Sequence, residues 1–265
     1  MTTRIQFILV LLALSVIACN NQSGKQVDER PFRLADNGDT VFQVLNKNGD
    51  LITEETVKNG MKNGPSWTYY PDGKVKEKIP YKDGKKNGTA EWYFQNGKLY
   101  QSTPYENDLI HGVRTKYFED GSLSAQIPYE IGQPLLGTLE YNRNGEIVQD
   151  TATLLFYPEN DVEKEGKFRL RLYLSDKTRN LFYYYYKEKA GKFERIGIPA
   201  AYNGVGDYIL TGIPNKPVPK QIRFYAEKMS ENGNPIVLSE IYDFEKAIKA
   251  GEGKDYFKGG PRRIY

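Results

Sequence analysis

Cysteine is almost missing from this sequence: Cys19 is the only one among 265 residues. The chain after it can form no internal disulfide, no thiolate nucleophile and no cysteine-bound zinc site. Its stability must come from burial and backbone pairing. Histidine is as scarce, with His111 alone, so acid–base catalysis by the usual groups has little to work with. No glycine-rich phosphate loop opens a helix, because the glycines fall in turn motifs. The formal net charge is only +3, which gives no basis for a polyelectrolyte contact with nucleic acid. Asp161, Glu163 and Glu165 cluster between Pro158 and Gly166. They lack the spacing and the internal glycine of an EF-hand calcium loop, and read as a solvated loop. A non-enzyme without metal or cofactor is expected.

The apolar run from Phe7 to Leu14, continuing to Ile17, is shorter than the roughly 20 residues of a membrane-spanning helix. With Arg4 before it, it suits the core of a secretory signal peptide. It ends in Val16-Ile17-Ala18-Cys19, which resembles the lipobox of bacterial lipoproteins. That resemblance implies cleavage before Cys19 and lipidation of its side chain, an anchor of several acyl chains. Residues 1–18 are therefore expected to be a signal peptide, and 19–35 a lipidated flexible tether. The implied location is the outer membrane, with the periplasmic and cell-surface faces both open. Asn20 to Gly24 carry no charge, so no acidic cluster follows the cysteine to assign a face.

Glycine, asparagine and tyrosine are abundant, and they recur. Gly64, Gly88 and Gly112 step by 24 residues, as do Gly49, Gly73, Gly97, Gly121 and Gly145. Each member of the second set follows Asn or Asp. Tyr69, Tyr81, Tyr93, Tyr105, Tyr117, Tyr129 and Tyr141 recur every 12 residues. Extending that ladder backward lands on Val57 and Leu45, a decayed first repeat starting near Val41. Asn-Gly and Asp-Gly are strong hairpin signals, and type I′ turns are expected at Asp72-Gly73 and Asp120-Gly121. A half-repeat is then one strand of ~6 residues and one turn. The expected architecture over 36–150 is an all-β meander of hairpin repeats, with the tyrosines at one level across the sheet.

Gly60-Met61-Lys62-Asn63-Gly64, Gly84-Lys85-Lys86-Asn87-Gly88 and Leu109-Ile110-His111-Gly112 each precede an aromatic strand and an Asn/Asp-Gly turn. Together they resemble the MORN repeat, and more closely the bacterial variant in antitoxin proteins of the YwqK type. The resemblance covers about residues 41–150. His111 aligns with Asn63 and Asn87, which makes it a turn residue. Asp108 stands where a glycine is expected, and Gly137 comes one place late, as in a bulged or capping repeat. The resemblance implies protein–protein contacts and scaffolding near membranes, or an immunity role against a toxin.

Beyond Asp150 the period stops. Phe168, Leu170, Leu172 and Leu174 alternate along a half-buried strand. Six further strands are expected at 152–157, 181–187, 193–196, 207–213, 221–228 and 236–244. Seven short strands suggest an immunoglobulin- or fibronectin-like β-sandwich over 151–245. Its core tryptophan is missing, because Trp67 and Trp92 both lie in the repeats. Gly206-Asp207-Tyr208 with Leu210 suggests a tyrosine corner. Residues 245–250 suit one or two helical turns, and 246–265 read as a basic tail.

The expected function is that of a membrane-anchored binding or scaffolding component of the cell envelope, joined to the membrane by its lipid and to an envelope protein partner. Immunity against a toxin and surface carbohydrate binding are the alternatives. The candidate contact residues are Trp67, Trp92, Phe94 and Phe118 in the repeats. Tyr183 and Tyr185 join them from the run Phe182 to Tyr186, if that face of the strand is the exposed one.

Overall fold

Two kinds of turn alternate along the repeats and set the register of every strand between them. Asn59-Gly60, Asp83-Gly84, Asn107-Asp108 and Ile131-Gly132 have positive φ at both residues. They close two-residue loops of type I′ geometry, with Lys82 facing Lys85 and Glu106 facing Leu109. The Asn/Asp-Gly turns are different. At Asp72-Gly73 only the glycine has positive φ. The Gly73 N–H donates to the Tyr70 carbonyl at 2.9 Å, and the Tyr70 N–H to the Lys74 carbonyl at 2.8 Å. That is a three-residue loop, a type I turn closed by a glycine bulge. The expected type I′ turns at Asp72-Gly73 and Asp120-Gly121 are thereby corrected. Pro71 fixes a negative φ inside the loop, and the Asp72 and Asp120 carboxylates accept the Lys74 and Ser122 N–H groups at 3.2 and 2.8 Å.

The computed structural model describes residues 31–249 apart from 36–37, 162–164, 202, 212 and 214–217. The signal segment, Cys19, Glu163 and the tail beyond Lys249 lie outside the described residues. Among those described, the turns generate one antiparallel meander of 14 strands. Its strands are β1 (Phe32–Leu34), β2 (Thr40–Leu45), β3 (Leu51–Lys58), β4 (Met61–Tyr69), β5 (Val75–Lys82), β6 (Lys85–Lys86) and β7 (Gly88–Tyr93). They continue as β8 (Leu99–Glu106), β9 (Leu109–Ile110), β10 (Gly112–Tyr117), β11 (Leu123–Glu130), β12 (Gln133–Pro134), β13 (Leu139–Tyr141) and β14 (Ile147–Val148). Phe32–Leu34, placed with the tether from sequence, pair with β2 as an edge strand. Three residues are too short to show a period.

The repeat glycines have a structural partner. Gly64 faces Tyr81, Gly88 faces Tyr105 and Gly112 faces Tyr129 across the ladder. All three glycines have φ above +100°, and a methyl group at Gly88 would lie 3.1 Å from the Pro80 ring. Tyr69, Tyr93, Tyr117 and Tyr141 stand near the opposite ends of the strands. The tyrosines therefore form two ladders with a 24-residue step, rather than one at a single level. Successive repeats are also clipped turn to turn. The Gly84, Asp108 and Gly132 N–H groups donate to the carbonyls of Lys62, Lys86 and Ile110 at 2.8, 3.0 and 2.8 Å. Asp108 does more than the glycine it replaces, because its carboxylate also accepts the Lys86 N–H at 2.8 Å.

The second half builds a sandwich from β15 (Leu154–Asp161), β16 (Lys167–Leu174), β17 (Leu181–Lys189), β18 (Lys192–Ile198), β19 (Gly206–Thr211), β20 (Gln221–Met229) and β21 (Pro235–Asp243). Sheets β15-β16-β19 and β18-β17-β20-β21 face each other. The fourth strand joins the third instead of the fifth, which is the fibronectin-like grouping and differs from the immunoglobulin constant type. Phe168, Leu170, Leu172 and Leu174 are buried as their alternation requires. Phenylalanines take the place of the missing tryptophan, with Phe224 against Phe156, Tyr208 and Phe244 at ring distances of 5.6, 5.2 and 6.2 Å. Tyr208 is not a tyrosine corner: it sits within β19 and packs on this cluster. Helix α1 (Phe244–Lys249) follows β21, with the Asp243 carboxylate capping the Lys246 N–H at 2.8 Å.

Candidate binding surface

Residues directly opposite in a ladder share a face, so the register divides the repeat sheet into a back and a front. On the back lie Ala90, Thr103, Ala125, Ile127 and Tyr129, all buried. Its C-terminal end is covered by the sandwich through a polar seam. The β20–β21 turn, Ser230 to Asn234, repeats the glycine-bulge geometry of the repeat turns. It sits against β13, where Glu140 is 6 % exposed. The Glu140 carboxylate accepts Ser230 Oγ–H at 2.7 Å and Asn232 Nδ2–H at 3.1 Å, and a third bond from Asn234.

Lys116 Nζ donates to Asn234 Oδ1 at 2.6 Å, and Thr138 Oγ1 to the Pro235 carbonyl at 2.8 Å. Burial, with Arg114 nearby, lowers the Lys116 ammonium pKa against the pull of Glu140. Arg195 joins the seam from β18, bonding Gln133 and Glu227 and lying 3.6 Å from the Tyr184 ring centre. At its far end Lys228 bridges Asp150 and Asp176 at 2.7 and 2.6 Å.

The front face differs in kind. Ser102, Thr115, Gln126 and Leu139 are aligned across β8, β10, β11 and β13. Flanking them on the same face are Pro104, Val113, Tyr117, Pro128 and Tyr141. None of these nine carries a formal charge, in a chain of which 27 % is charged. All are half-buried or exposed, with Val113 at 47 %. Tyr141 Oη–H donates to Gln126 Oε1 at 3.0 Å, so even this polar pair is internally satisfied. Neutral surface with aromatic content and no lysine or carboxylate is what interface centres are made of.

Toward the N-terminal end the front face becomes charged. Glu54, Trp67, Lys78 and Glu91 face one another strand by strand. The Lys78 ammonium lies 5.3 Å from the Trp67 ring centre and 3.4 Å from the Glu91 carboxylate. Burial opposes ionisation of Glu54, but hydrogen bonds from Gln43, Arg33 and Tyr69 outweigh it and hold the carboxyl below its ordinary range. Burial, then the Glu54 charge, push Tyr69 up to about 12.

The expected contact residues separate on this frame. Trp67 is on the front face and half-buried, whereas Trp92 is on the back, between Glu77 and Gln101. Phe94 and Phe118 open equivalent turns along one edge of the sheet. Phe94 meets Tyr100 at 5.1 Å and Phe118 meets the Arg143 guanidinium at 4.9 Å. Tyr183 and Tyr185 are corrected: their face of β17 is the core. Tyr183 is 1 % exposed and donates its hydroxyl to the Gly204 carbonyl at 2.8 Å. The opposite face of β17 carries Phe182, Tyr184 and Tyr186: Phe182 is 70 % exposed, whereas Tyr184 is buried, stacked on Tyr225 beneath Arg195. His111 is an exposed turn residue whose N–H donates to the Pro104 carbonyl. The neutral front face went unnoticed in the sequence, although alternate positions of β8, β10 and β11 carry charge only at the strand ends Glu106 and Glu130.

The model of the MORN repeat variant family matches residues 62–83, 86–107 and 110–130. These are three consecutive repeats within the meander, and the chain is similar to that family over them. MORN repeats are in general modules that bind proteins or membranes, and are generally non-enzymatic. A search of curated proteins gave no match.

Proposed function

We propose that this chain is a non-catalytic lipoprotein of the bacterial outer membrane, anchored through Cys19, that holds an envelope protein partner against the neutral front of its repeat sheet. One observation carries the reading: nine uncharged side chains share the open face of β8, β10, β11 and β13, while the opposite face is covered by the chain's own sandwich. Similarity to binding repeats supports it, as does the lipobox-like end of the apolar run.

The test is affinity purification from gently solubilised native membranes, beside Val113→Lys and Cys19→Ala variants. A stoichiometric envelope protein that is lost with Val113→Lys, while circular dichroism stays unchanged, supports the proposal. A toxin-like partner on the same face would favour the immunity role of YwqK-type relatives. Retention of the partner by a folded Val113→Lys protein rules the face out.

A further inference from the structure

Across the first strands of the meander, away from the neutral face, the front of the sheet holds a groove of about 550 Å³. That size lies within the range of small-molecule sites. Its floor includes Val41, buried, and Thr56, whose hydroxyl donates to the Pro65 carbonyl at 3.0 Å. Trp67 forms one wall, and Lys78 stands against the same ring from the neighbouring strand β5. The polar groups of the groove come in opposed pairs. Glu54 and Asp39 are recessed, while the side chains of Arg33 and Lys58 stand more than half exposed above them. Arg33 Nε is 3.4 Å from Glu54, and Lys58 Nζ is 4.0 Å from Asp39. Two cations and two anions leave the lining with no net charge among the described residues.

That combination selects a chemical class. An ion of either sign would meet like charges as well as opposite ones in this lining, so its own charge gains little net attraction to offset its desolvation. A neutral, hydroxyl-rich ligand can donate to the carboxylates and accept from the guanidinium and ammonium groups at once. Its C–H face can lie on the indole, which offers a large apolar area at little entropic cost. We infer that this groove binds a neutral sugar unit, with Trp67 as the platform and Glu54 and Arg33 as the acceptor and donor for its hydroxyls. The site is separate from the partner face, and the inference stands or falls independently of it.

The two tryptophans provide the test, because they lie on opposite faces of the sheet. In a Trp92→Phe variant of the full chain, emission reports Trp67 alone. Titration with maltose, cellobiose, lactose and diacetylchitobiose should shift or quench that emission saturably for at least one of them. Saturation-transfer NMR on the unmodified protein should select the same sugar. Glu54→Gln should weaken it about tenfold, as expected on losing a charge-assisted hydrogen bond. Trp67→Ala should abolish the NMR signal while leaving circular dichroism unchanged. Absence of any saturable change up to the solubility limit overturns the inference. So does binding confined to glucuronic acid or glucosamine, since a charged ligand contradicts the neutral lining.

Discussion

Substitution of Glu140 measures how firmly the sandwich is bolted to the repeats. Its carboxylate takes hydrogen bonds from Ser230, Asn232 and Asn234, and Asn234 is itself only 2 % exposed. In Glu140→Ala the Asn234 amide keeps no acceptor for that donor, and each buried donor left unmade costs about 1–3 kcal/mol. Ser230 and Asn232 sit nearer water and recover part of their loss. The expected destabilisation is about 2–4 kcal/mol, or a fall in Tm of roughly 6–12 °C for a unit of this size.

Both tryptophans lie in the repeats and none in the sandwich. Tryptophan emission during urea unfolding therefore follows the repeats, while far-ultraviolet circular dichroism follows the strands of both parts. Coincident transitions that move together in Glu140→Ala are expected if the seam couples them. Glu140→Gln keeps one acceptor and should cost about half as much. A loss below about 0.5 kcal/mol in Glu140→Ala, or separate transitions in the unmodified chain, would refute the reasoning.

Three further outcomes are expected. Gly88→Ala should destabilise by about 1–3 kcal/mol, and more than Gly97→Ala, because both have positive φ but only Gly88 has the Pro80 ring against the added methyl; paired urea curves decide it. Burial opposes the charge of Asp176, but hydrogen bonds from Lys228 and Thr178 hold its carboxyl below the ordinary 3.8. Its stabilisation is present above that value and drains away as pH falls through the lowered one, so Asp176→Asn should flatten the acid limb of a stability–pH curve. Burial pushes Tyr69, Tyr184 and Tyr208 up to about 12. Unfolded tyrosine ionises nearer ~10, so stability should decline as pH rises from there toward 12, with late-titrating phenols visible at alkaline pH in the folded protein only.

Much of this fold was legible because turns punctuate it. The glycine and tyrosine periods locate the repeat strands, and the alternation from Phe168 to Leu174 identifies a core strand outright. What escaped depends on partners distant in sequence. Tyr183 and Tyr184 are adjacent in one aromatic run and both are buried, but only the facing sheet decides that Tyr183 enters the sandwich core while Tyr184 is covered by Tyr225 and Arg195. The tyrosine ladder looked single because a 12-residue step ignores that alternate strands run in opposite directions. The Asp-Gly turns misled because the dipeptide favours both turn types, and the length of the loop, three residues rather than two, decides between them. Glu140 gave no signal at all, since its partners are about 90 residues away.

The turn-to-turn clips bear on how the chain yields under load. Strands of the meander follow one another in sequence from β1, so a pull on Pro31 strains the ladder one hairpin after the next. The first repeats lack the sandwich behind them and give way before the rest. Each released repeat of 24 residues adds roughly 80 Å of extended chain. The N-terminal half is thereby a spring with discrete steps, while the end gripped by Glu140 and Lys116 keeps its shape.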